Sequence, residues 1–67
     1  MGLTAKERYR DELTLKRTRA QKDLVFVDSV PEEVLAADPE LAERYAKVRK
    51  LIEEKIMACD WLMGKIQ

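Results

Sequence analysis

Cys59 is the only cysteine in a sequence that contains no histidine. A cysteine nucleophile needs a nearby base or a positive environment, and histidine is the usual base. Cys59 also falls on the apolar stripe of a predicted helix, where a free thiol packs as a small apolar side chain. A structural zinc site takes four ligands drawn mostly from cysteine and histidine. We therefore expect neither nucleophilic catalysis nor a metal centre.

Carboxylates occur in three adjacent pairs, which are Asp11-Glu12, Glu32-Glu33 and Glu53-Glu54. Neighbouring residues on a helix point in different directions, so the members of a pair do not converge on one substrate. Helical bundles that hold two metal ions combine glutamates with Glu-x-x-His motifs, and histidine is absent. We predict that the chain is not an enzyme and uses no cofactor.

Basic side chains are concentrated in two stretches of the chain. They are Lys16, Arg17, Arg19 and Lys22 in the first half, and Arg44, Lys47, Arg49 and Lys50 in the second. In a hairpin that turns near residues 28 to 38, the two stretches would lie across from each other as a positive band. Such a band can displace counterions from nucleic acid. A formal net charge of +0 and the lack of a recognisable binding motif argue against this use. A homodimer that binds nucleic acid is the alternative hypothesis.

Large apolar residues outside the main helical stripes are the predicted partner-binding residues. Met57 and Trp61 are four residues apart, with Leu62 beside them, and these residue types are common in the cores of interfaces. Val25 and Phe26 form a second patch within the continuous apolar run "LVFV". A helix hides one stripe only, so we expect Val25 and Phe26 to pack under a connecting helix or onto a second chain.

The C-terminal part of the sequence predicts a helix over about residues 39 to 66. Asp38-Pro39-Glu40 is typical of a helix start, with an N-cap carboxylate, proline at the first position and acid in the first turn. Apolar residues then recur at steps of three and four within a sector roughly 80° wide. They are Leu41, Tyr45, Val48, Ile52, Ile56, Cys59, Met63 and Ile66.

A first helix is predicted over about residues 4 to 27, with a less regular apolar face. Lys16 lies in the middle of that face, either as a polar residue that fixes the packing register or with its stem packed and its amine in water. Between the long helices, Ser29-Val30-Pro31-Glu32 resembles a capping box and predicts a short connecting helix over about 30 to 37.

These elements predict an all-α fold, a single helical-hairpin domain over residues 1–67. A chain of this length buries too little surface to be more than marginally stable alone, and one cysteine cannot form an internal disulfide. We therefore expect two hairpins to associate as a homodimeric four-helix bundle.

The expected function is a small non-enzymatic protein–protein interaction module that acts in oligomerisation, as an adaptor or as a regulator. Its partner is another copy of the chain or a different protein. No apolar run is long enough to cross a bilayer, and the N-terminus lacks the apolar core of a signal peptide. We expect a cytoplasmic protein with no membrane partner.

Overall fold

Two long antiparallel helices and a short connecting helix make up the fold. The computed structural model of the chain describes residues 2 and 4–66, so the ends of the predicted domain, Met1, Leu3 and Gln67, lie outside the described residues. The helices are α1 (Ala5–Asp28), α2 (Glu32–Ala37) and α3 (Pro39–Ile66). α1 packs along α3, and α2 also packs against α3. The prediction of an all-α helical hairpin with a short connecting helix is confirmed.

α1 continues through the whole apolar run and ends at Asp28. Its first turn is capped by Thr4, whose Oγ1 accepts a hydrogen bond from the backbone N–H of Glu7 at 3.1 Å. At its end, the backbone N–H of Ser29 and its hydroxyl both donate to the carbonyl oxygen of Phe26, at 3.3 and 2.7 Å. Ser29 therefore closes α1, and the predicted capping box, in which Ser29 opens the connecting helix, is wrong.

The turn into α3 follows the predicted pattern. α2 begins after Pro31 without a side-chain cap. The side chain of Asp38 accepts a hydrogen bond from the backbone N–H of Leu41 at 3.1 Å, and Pro39 occupies the first helical position. Proline suits that position because the missing N–H would have no partner inside the helix.

The tightly packed part of the hairpin is small. Among the described residues, only Leu13 and Ala20 of α1 and Cys59 of α3 are buried. The rest of the α3 stripe is half-buried against α1, except Val48, which is exposed. Leu24 and Val27 are also half-buried, as expected of residues that face the other helix.

The hairpin is long and thin, with extents of 55 × 19 × 12 Å and a radius of gyration of 16.0 Å. A compact domain of this length has a radius of about 11 Å. The accessible surface is 5599 Å², whereas a folded monomer of 7.8 kDa exposes about 4,400 Å². The isolated chain therefore exposes about 1,200 Å² more surface than a typical folded protein of its mass.

Candidate functional site

Two ion pairs join the long helices. Arg17 donates to both carboxylate oxygens of Asp60, with Nε 2.5 Å from Oδ1 and an Nη nitrogen 3.5 Å from Oδ2. Eleven residues earlier on α3, Arg49 forms a similar forked contact with Asp28, at 2.7 and 3.2 Å. These contacts set the register, because each places one residue of α1 level with one residue of α3.

The pair near the connector forms a small charged network. Arg49 also hydrogen-bonds Glu53, one turn further along α3. The hydrogen bonds and positive charge of Arg49 hold the pKa of Asp28 below its usual value, and Asp28 raises the pKa of Arg49 in return. The charged forms of both side chains are thus favoured in the folded hairpin.

Trp61 and Met57 form an exposed apolar patch on the outer side of α3. Two residues along a helix correspond to about 200° of rotation, so both side chains point away from the buried Cys59. Trp61 is 63% exposed and Met57 is 68% exposed. The ammonium nitrogen of Lys65 lies 5.3 Å from the centre of the Trp61 ring, a cation–π contact that covers one part of the indole.

Leu62 does not share this outer patch. It lies five residues after Met57, about 140° around the helix, and it is half-buried. The sequence grouped Leu62 with Trp61 because the two are adjacent along the chain. In the folded helix Leu62 lies on the side of α3 that also carries Val48 and Leu51, both of which are exposed.

Val25 and Phe26 are 69% and 72% exposed, so the connecting helix does not cover them. That part of the prediction is wrong, because α2 packs against α3 and its Leu35 lies in a cleft with Ala42 of that helix. The other possibility, cover by a second chain, stays a prediction. The two side chains also diverge by about 100°. Val25 lies on the outer surface of α1, whereas Phe26 borders the groove between the long helices.

An apolar groove runs between α1 and α3 near the connector. Its volume is about 530 Å³, and its walls are mainly apolar. The lining residues are Asp23, Phe26 and Val27 from α1, and Leu41, Arg44, Tyr45, Val48 and Ile52 from α3. The sequence assigned the apolar residues of α3 to the contact with α1. The sequence did not predict the groove, because the residues of α1 that face it are not all apolar. The charged Asp23 on α1 was the sign that the apolar residues of α3 lack full cover there.

The predicted positive band is divided by the register of the hairpin. Arg17 lies level with Asp60, whereas Arg49 is eleven residues, about 16 Å, away along α3. The two basic stretches therefore do not lie across from each other, and that part of the prediction is wrong. The sequence could not reveal this offset, because it depends on which residues pair across the helices.

Half of the predicted nucleic-acid-binding cations are engaged with carboxylates. Arg17 pairs with Asp60 and Arg49 with Asp28, while Arg44 and Lys47 each lie 3.5 Å from a glutamate one turn earlier. The remaining cations, Lys16, Arg19, Lys22 and Lys50, are exposed. The exposure of Lys16 agrees with a packed stem and an amine in water rather than a buried polar residue.

The residues considered for catalysis stay dispersed. Cys59 is a buried free thiol. Within residues 2 and 4–66, no three cysteine or acidic side chains come together as metal ligands would. Over the same residues, neither long helix contains a stretch that is apolar over the length of a bilayer crossing.

No protein-family model, curated protein or solved structure matches the chain.

Proposed function

We propose that the chain is a small non-enzymatic protein–protein interaction module that self-associates as a homodimeric four-helix bundle. The observation that carries this proposal is the exposed surface. The chain leaves about 1,200 Å² more surface in contact with water than a folded protein of its mass normally does. A stable interface of standard size covers about 800 Å² on each partner. Association of two hairpins through such an interface would remove about two thirds of this excess.

The composition of the exposed surface supports the same proposal. Several of its large side chains are apolar, including Phe26, Val48, Leu51, Met57 and Trp61. Exposed apolar side chains that cluster in a soluble protein usually mark an interaction site. Val48 and Leu51 cluster in this way on one side of α3, and Met57 and Trp61 do so on another. The formal net charge of +0 means that two copies approach without overall electrostatic repulsion.

Solution mass tests the proposal. Light scattering after size exclusion, repeated over a hundredfold range of protein concentration, is expected to give twice the chain mass of 7.8 kDa. At the lowest concentrations, the mass should fall towards that of one chain. A folded monomer throughout, shown by helical circular dichroism at every concentration, would refute self-association. In that case a partner of different sequence would have to cover the apolar surface.

Retention on a heparin column separates this proposal from the nucleic-acid alternative. The interaction module is expected to elute at low salt, because Arg17, Arg44, Lys47 and Arg49 already contact carboxylates. A nucleic-acid-binding dimer would be retained, and its affinity would fall steeply as salt rises.

A further inference from the structure

We infer that the groove between α1 and α3 is the docking surface for a second copy, packed antiparallel about a two-fold axis level with the Asp28–Arg49 pair. This inference rests on the proposed function, and it adds the surface and the arrangement of the two copies. Phe26, on the rim of each groove, is the side chain that enters the groove of the partner copy.

The shape of the groove suits a two-fold contact. A two-fold interface uses the same patch on both copies, so the patch must carry both a projection and the recess that receives it. Phe26 is the projection, because it is 72% exposed at the rim. The recess is lined by Leu41, Tyr45, Val48 and Ile52 of α3. Entry of Phe26 would bury an aromatic ring against apolar walls in both copies at once.

The charges in the groove are also self-complementary. Asp28 and Arg49 are level with each other, so they define a height along the hairpin. Asp23 lies five residues to one side of that height on α1, and Arg44 lies five residues to the other side on α3. Each is therefore displaced by about 7.5 Å, in opposite directions. An antiparallel copy centred at this height brings its Arg44 level with Asp23, twice per dimer. The Arg44 guanidinium contacts Glu40 within its own chain and has further N–H donors for Asp23.

The opposite face of the hairpin is a poorer docking surface. The Arg17–Asp60 pair and the Asp28–Arg49–Glu53 network lie there, already satisfied and partly exposed. Burying these charges under a second chain would require removing their water, which is costly even for paired ions. The groove face instead carries Val48, Leu51 and Phe26, whose exposure to water is unfavourable.

Truncation of Phe26 tests whether the groove is the interface. Phe26→Ala is expected to raise the dimer dissociation constant about a hundredfold, because each dimer loses two buried rings. Leu15→Ala is the control. It removes an exposed apolar side chain from the outer surface of the same helix, and it is expected to change the constant less than about threefold. Sedimentation equilibrium measures both constants, and circular dichroism checks that both variants stay helical.

Cysteine cross-linking tests the arrangement of the copies. In a Cys59→Ala background, Val48→Cys and Leu62→Cys each place one thiol on the groove side of α3. In the antiparallel dimer, Val48 lies one residue from the height of the two-fold axis, so the Val48 residues of the two copies are only about 3 Å apart along the bundle. Leu62 is thirteen residues from that level, so its copy lies about 39 Å away along the bundle. A short bismaleimide reagent is expected to join Val48→Cys chains and leave Leu62→Cys chains single.

The outcomes separate this inference from the proposed function. A wild-type monomer would overturn both. A wild-type dimer that Phe26→Ala leaves intact would overturn the groove as the interface while self-association stands. Equal cross-linking at both positions would overturn the antiparallel arrangement, because a parallel bundle keeps both pairs of residues at matching heights.

Discussion

Leu13 is expected to contribute more to stability than Leu15 or Leu24, the other leucines of α1. Leu13 is one of three buried residues among those described, whereas Leu24 is half-buried and Leu15 is exposed. Leu13→Ala removes apolar contacts with α3 and leaves a space that the two helices can only partly close. Such substitutions typically cost about 2–5 kcal/mol. We expect about 2–3 kcal/mol here, because a pair of helices can relax more easily than an enclosed core. A chain of 67 residues has a total stability of only about 3–10 kcal/mol.

Leu15→Ala is the matched control for this substitution. Leu15 is 50% exposed, and it lies two residues away on the same helix, so both changes alter helix propensity equally. We expect Leu15→Ala to cost less than about 1 kcal/mol. Urea unfolding followed by circular dichroism measures both values. The chain concentration must be the same in each experiment, since association shifts the midpoint. Equal losses for the two variants would refute the assignment of the packed face of α1.

Three further changes have definite expected results. Asp38→Ala should lower the free energy of unfolding by about 1 kcal/mol in urea titrations, because the N-cap bond to Leu41 is lost, and Asp38→Ser should restore most of it. Gly64→Ala should stabilise the chain by up to about 0.5–1 kcal/mol and so raise the thermal midpoint, because alanine favours the helix and its Cβ meets no atom within 4 Å. A lower midpoint would mean that this side of α3 is covered. Asp28→Asn should lower the free energy of unfolding near pH 7. The difference in this free energy between the variant and the wild type should become smaller as pH falls. The folded-state pKa of Asp28 is depressed, so its contribution is present above the unfolded-state pKa and lost as pH falls through the folded-state value. A gap that stays constant down to strongly acid pH would contradict this role of Asp28.

The secondary structure was readable from the sequence because its determinants are local. The steps of three and four from Leu41 to Ile66 predict one face of a helix, and Asp38-Pro39 predicts where that helix begins. The structure starts α3 at Pro39. Ser29 shows the limit of local patterns. A serine between two helices can cap either of them. Here the Ser29 hydroxyl donates a hydrogen bond to the carbonyl oxygen of Phe26 in the preceding helix.

The positions of side chains across the helices were not readable in the same way. The sequence shows which residues share a face of one helix, but it does not show which residue of the other helix lies opposite. That pairing follows from the length of the connector and from the contacts of Arg17 and Arg49. A shift of eleven residues in register is enough to separate two basic stretches that the sequence placed side by side. The predicted alignment of the two basic stretches was therefore wrong, because it depended on the register between two helices.

The thin core and the open groove have a common cause in the sequence of α1. Where α1 presents Leu13 and Ala20 to α3, the helices pack closely and exclude water. Nearer the connector, α1 presents Asp23, and the larger Phe26 points to the rim, so the apolar residues of α3 lack a full set of partners. In the proposed dimer, a second copy supplies these partners by binding the folded hairpin. Binding of that kind stabilises the folded state by mass action, so assembly and folding of this chain would be coupled through the same groove.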